Sequence, residues 1–133
     1  MRAIALSLTL FCIAGCDSFS GDLVPRDVYA RAESAKFVEI TADAQGRAAA
    51  VFDYVGSVPA ACYEFSGFGT ANDGQRLKVT VMARMTAASC AAGQGTVRRE
   101  RLELPSLSPE PGTYTYAFDR QRAAPLEVSV TFP

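Results

Sequence analysis

Four cysteines, Cys12, Cys16, Cys62 and Cys90, carry most of the reactive chemistry this chain can offer. None of its 133 residues is histidine, the side chain most used for acid–base work near neutral pH and the commonest metal ligand. Ser/His/Asp and Cys/His nucleophilic constellations are therefore excluded. Carboxylate pairs could still act as acid and base, but the Asp and Glu residues, Asp53, Glu64, Glu100 and Asp119 among them, are scattered and no spacing selects a pair. The chain holds neither a G-x-x-x-x-G-K-[ST] phosphate loop nor a D-x-[DN]-x-[DN]-G calcium loop. Gly67-Phe68-Gly69 with Asn72-Asp73-Gly74 superficially suggests a phosphate cradle. A hairpin loop needing positive φ at several positions accounts for the same residues better. The expectation is a non-enzymatic protein with no catalytic residue, metal or cofactor.

Two further clusters have a functional and a structural reading. Arg98, Arg99 and Arg101, with Arg76, Lys78 and Arg84, could form a basic sheet face for anionic headgroups or an acidic partner. The reading adopted is a solvated strand face whose charges discourage edge-to-edge pairing. Tyr114, Tyr116 and Phe118 could form a binding stripe, but at period two in a central strand they are expected in the core. The balance of 13 Lys and Arg against 14 Asp and Glu argues against a nucleic-acid binder. A hydrophobic fraction of 49% excludes a disordered chain, and the length suits one domain.

The first residues form an address. Met1-Arg2 gives a positive start, and Ala3 to Ala14 (AIALSLTLFCIA) is uncharged and almost wholly apolar. A membrane-spanning helix needs about 20 such residues, whereas a secretory h-region needs about 7–15. Ile13-Ala14-Gly15-Cys16 closes the run. This tetrapeptide resembles the lipobox of bacterial lipoproteins at every position. The resemblance implies that Cys16 is acylated and becomes the first residue of the mature protein. Its acyl chains, at roughly 0.8 kcal/mol per buried methylene, would be the membrane anchor. In enterobacterial lipoproteins Asp after the lipidated Cys marks inner-membrane retention, and Asp17 stands there.

The rest of the chain must present these groups outside the membrane. Residues 1–15 read as signal peptide, 16–36 as lipidated N-terminus and tether, and 37–133 as one β-domain. The stretch Asp17 to Lys36 is polar and lacks a sustained period, although Pro25 before DVYARAESA could open a short helix. Period-two alternation follows. Val38 and Ile40 lead to a turn at Asp43-Ala44-Gln45-Gly46 and a return strand over Ala48 to Val55. Ala60 to Phe65 is a third candidate, and the glycines from Gly67 to Gly74 mark a long turn. Arg76 to Met85 alternates most cleanly, with Leu77, Val79, Val81, Ala83 and Met85 on one face. AASCAAGQG (87–95) reads as loop; Val97 to Leu104, Thr113 to Asp119 and Leu126 to Phe132 read as strands. About seven short strands separated by turns predict an all-β, antiparallel β-sandwich.

Cys62 and Cys90 are left as an even pair in an exported chain, where a disulfide is the favoured state. A metal pair would lack further His or Cys ligands, and a common redox couple would be C-x-x-C; buried thiols are the other alternative. Leu107 to Tyr114 (LSPEPGTY) resembles the tyrosine corner of fibronectin type III and other immunoglobulin-like sandwiches, with extra residues before Gly112. That resemblance implies an immunoglobulin-like sandwich and a Tyr114 hydroxyl tied back to backbone. The functional expectation is an envelope lipoprotein, facing periplasm or exterior, that binds an envelope protein partner or serves as an accessory subunit. A periplasmic small-ligand or lipid-binding module, or an inhibitor of an envelope enzyme, are the alternatives.

Overall fold

Alternation of apolar and polar residues gives most strands one dry face, and two sheets bury those faces against each other. The computed structural model describes residues 26–86, 90, 97–107 and 110–133. Its strands are β1 (Asp27–Tyr29), β2 (Ala32–Ala42), β3 (Ala48–Pro59), β4 (Tyr63–Asp73), β5 (Arg76–Met85), β6 (Val97–Pro105), β7 (Gly112–Phe118) and β8 (Leu126–Phe132). One sheet has the order β2-β3-β6; the other places β7 and then β8 beyond one edge of β5, and β4 on the opposite edge. The protein is an all-β sandwich.

Local chemistry fixes the hairpins. Between β2 and β3 the Asp43 carboxylate accepts hydrogen bonds from the backbone N–H of Gln45 (2.9 Å) and Arg47 (2.8 Å) and from Arg47 Nε (2.7 Å). Desolvation opposes ionisation of Asp43, but these bonds and the Arg47 charge hold its carboxyl below the usual 3.8. Between β4 and β5, Asp73 pairs with Arg76 across Gly74-Gln75. Gly74 has φ 61° at the first loop position, where a two-residue hairpin favours glycine.

The core is aromatic. Phe52 on β3 lies 4.9 Å from the ring centre of Tyr116 and 5.1 Å from that of Phe118, both on β7 in the other sheet. Tyr54, Leu77, Val79, Leu102 and Leu104 complete it, each no more than 2% exposed. Burial pushes the Tyr54 hydroxyl well above the ordinary tyrosine range, with Asp119 and Glu33 adding to the effect. Tyr54 donates its hydroxyl proton to the Ala30 carbonyl, holding the link between β1 and β2 against the core. Gly56 is needed beside that link, because a Cβ there would come within 3.1 Å of both Ala30 Cβ and Tyr54 Cε1.

Four expectations need correction. The segment read as tether through residue 36 contains β1 and the start of β2, so the described sheet structure begins before residue 37 and has eight strands. Small Ala30 and Ala32, 3% and 0% exposed, let this segment lie close under Tyr54; neither composition nor period signals that. The region 67–74 is not a long turn: β4 runs to Asp73, and only Gly74-Gln75 turn. In β2 the inward residues are Phe37 and Ile40, while Val38 is 40% exposed. A bulge between Phe37 and Glu39 shifts the alternation by one residue there. Finally, the sandwich is not wholly antiparallel, because β5 and β7 pair in parallel from Arg76↔Thr115 to Val79↔Phe118.

Candidate functional site

The predicted lipidation site, Cys16, lies outside the described residues, as do Cys12 and Asp17. So does the 87–95 loop apart from Cys90. Cys62 and Cys90 are joined as a disulfide with Cα atoms 5.8 Å apart. Cys62 sits in the turn between β3 and β4, its N–H bonded to the Pro59 carbonyl at 3.2 Å. Its own carbonyl accepts from Thr86 N–H at 2.8 Å, just beyond β5. The bond therefore ties the segment after β5 to the turn that starts β4.

The basic residues do not form one face. Arg98 points inward from β6 at the mouth of the sandwich, pairs with Glu100 and donates from Nη1 to the Tyr63 carbonyl on β4 at 2.9 Å. It links the two sheets. Arg99 and Arg101 project from the other side of β6, and Arg101 pairs with Glu39 of β2. Arg76 and Arg84 belong to the other sheet, paired with Glu127 at 2.7 Å and Asp27 at 3.2 Å. Strand pleat explains the split: neighbouring Arg98 and Arg99 must point to opposite faces. On the outer face of β3 and β6, Asp53, Val55, Arg99 and Arg101 border an open hollow of about 380 Å³. It is a mixed-charge surface feature suited to polar contacts.

The aromatic residues of β7 are structural. Tyr114, Tyr116 and Phe118 are 4%, 0% and 0% exposed. Tyr114 donates its hydroxyl to the Glu110 carbonyl at 2.8 Å, the backbone tie expected of the LSPEPGTY segment. Tyr116 donates to the Pro105 carbonyl at 3.0 Å, bridging the sheets. Asp53 and Glu64 are exposed on different sheets, Glu100 is held by Arg98, and Asp119 accepts the Gln121 N–H at 2.7 Å in the β7–β8 loop. The four do not converge.

The surface that sequence reasoning missed is β4. Among the described residues it pairs only with β5 and forms one border of its sheet. Along Phe68 to Asp73 every residue is exposed, on both faces. Phe68 pairs with Val81, Thr70 with Val79 and Asn72 with Leu77, so all three share the face β5 turns to the core. The smaller β2-β3-β6 sheet leaves them uncovered, and Phe68 is 39% exposed. Alternation continues through this stretch, but its glycines, Asn and Asp hide it behind turn composition. No family model, curated protein or solved structure matches the chain.

Proposed function

We propose that the chain is a lipid-anchored cell-envelope protein that works without catalysis, by binding a protein partner or as an accessory subunit. The observation that carries this reading is Ile13-Ala14-Gly15-Cys16 behind an uncharged apolar run. The Cys62–Cys90 bond supports export to an oxidising compartment. Residues 17–26 separate Cys16 from β1 and would span at most about 33–36 Å if extended, so an acyl anchor would hold the sandwich close to the headgroups. Asp17 favours the inner membrane within this reading.

The Tyr114 tie to Glu110 supports kinship with immunoglobulin-like sandwiches, and the parallel β5–β7 pair is a departure from an all-antiparallel arrangement. Binding to a partner is preferred over enclosing a small ligand, because Phe52, Tyr54, Tyr116 and Phe118 fill the space between the sheets. Cys16→Ser tests the anchor. In a bacterial host the variant loses fatty-acid labelling and leaves the membrane fraction; labelling that persists without Cys16 refutes the reading.

A further inference from the structure

We propose that the open edge of β4 is a homodimer interface, in which residues 67–73 pair antiparallel with the same residues of a second copy. The inference needs no lipid anchor and stands apart from the reading of Cys16.

Sheet borders are normally protected by charge, bulges or a covering element. Among the described residues, the border of β4 is protected at its start and open after that. Arg98 caps the Tyr63 carbonyl at 2.9 Å, and a bulge separates Phe65 from Gly67. From Gly67 to Asp73 the register with β5 is regular, with each residue in turn opposite Met82 to Arg76. Asp73 is the only charge in the segment. By contrast, β6 carries Arg98, Arg99, Glu100, Arg101 and Glu103 along its border, and β2 carries Glu33, Lys36 and Glu39 with two register shifts.

The open segment is complementary to itself. A twofold axis at Thr70 pairs Thr70 with Thr70 of the second copy, Phe68 with Asn72, Gly69 with Ala71 and Gly67 with Asp73. Opposed threonines are a favourable cross-strand pair, and no two like charges face each other. Gly69 and Ala71 leave the outer face flat, with open space around Gly69. All seven residues are used and the bulge is left out. A slip of one residue would set Phe68 against side chains of the opposite face, and a shift toward Phe65 would meet the bulge. Pairing of identical surfaces closes at two copies, as an isologous contact does. It also covers Phe68, which the chain's own second sheet does not reach.

The test is thiol crosslinking of the full chain in a bacterial host under mild oxidation, with acylation of Cys16 followed separately so that anchoring and pairing are scored independently. Thr70→Cys is expected to give a dimer band several-fold stronger than Ser129→Cys on β8. Phe68→Cys and Asn72→Cys combined are expected to crosslink, with each alone giving less. Adding Thr70→Lys, which opposes two cations across the axis on an exposed position, is expected to remove that crosslink while protease resistance of the domain is kept. A Thr70→Cys protein that stays monomeric, equal dimer bands from Ser129→Cys, or a crosslink to a chain of different mass would each overturn the proposal.

Discussion

Breaking the Cys62–Cys90 bond is expected to cost much of the domain's stability, and the structure shapes how the loss divides among variants. The cysteines are 28 positions apart. Closing a loop of that length removes unfolded-state entropy worth about 3.6 kcal/mol, against about 5–15 kcal/mol for a typical domain. Cys62 is 5% exposed, whereas Cys90 is only partly buried. Cys62→Ser therefore adds a hydroxyl in a buried position, costing about a further 1–3 kcal/mol if it finds no partner. Alanine avoids that penalty. Cys62→Ala and Cys90→Ala are expected to lose similar amounts, the double variant little more than either, and Cys62→Ser more than Cys90→Ser. The chain has five tyrosines and no tryptophan, so urea unfolding can be followed by near-ultraviolet tyrosine dichroism. With a slope of about 1–3 kcal/mol/M, the midpoint falls by more than about 1 M. A loss under about 1 kcal/mol for both alanine variants would refute the loop-closure reasoning, as would a double variant that costs the sum of the singles.

Two further perturbations probe the elements that hold the sandwich. Gly56→Ala places a methyl 3.1 Å from Ala30 Cβ and Tyr54 Cε1 and is expected to destabilise by about 1–3 kcal/mol through overpacking. Adding Ala30→Gly should recover part of the loss, and a neutral Gly56→Ala in thermal unfolding contradicts the packing described. The Asp43 carboxyl should titrate below 3.8, since its folded-state value is lowered. Its contribution is then complete above the unfolded-state value and is lost as pH falls through the folded value. Carboxyl carbon NMR checks the midpoint, and a value at or above 3.8 removes Asp43 as an acid-sensitive element.

Much of the fold was legible because period two is a strong signal where large apolar residues carry it. Leu77, Val79, Val81 and Ala83 lie on one buried face, and Tyr116 and Phe118 are in the core, as their spacing predicts. The Tyr114 tie was legible from a short motif, and the disulfide from two cysteines left as an even pair once the leader is read as an export signal. Where small residues replace large ones the signal fails. Ala30 and Ala32 are buried alongside the core aromatics, yet alanine is equally at home in a tether. Gly67, Gly69 and Ala71 form regular strand, yet their composition belongs to turns. The division of the arginines was also obscure, because sequence adjacency suggests one cluster while the pleat sends neighbours to opposite faces.

The exposed border of β4 and the parallel pair have one cause. The β4–β5 hairpin offers two free edges, and β7 could have joined either. Beside β4 it would run antiparallel and bury the glycine-rich segment inside the sheet. Beside β5, keeping that same direction, it runs parallel, since β4 and β5 run in opposite directions. The side chains favour β5: Leu77 and Val79 stand opposite Tyr116 and Phe118, which reach Phe52 across the sandwich. Gly67, Gly69 and Ala71 would give β7 far less apolar surface. β1 then takes the remaining length of the same edge, at Met82 to Arg84. Among the described residues, the choice that completes the core thus leaves the outer edge of residues 67–73 without a strand partner. Its single charge, Asp73 at the far end, is what separates it from the guarded borders of β2 and β6, and pairing along that border is what crosslinking at Thr70 measures.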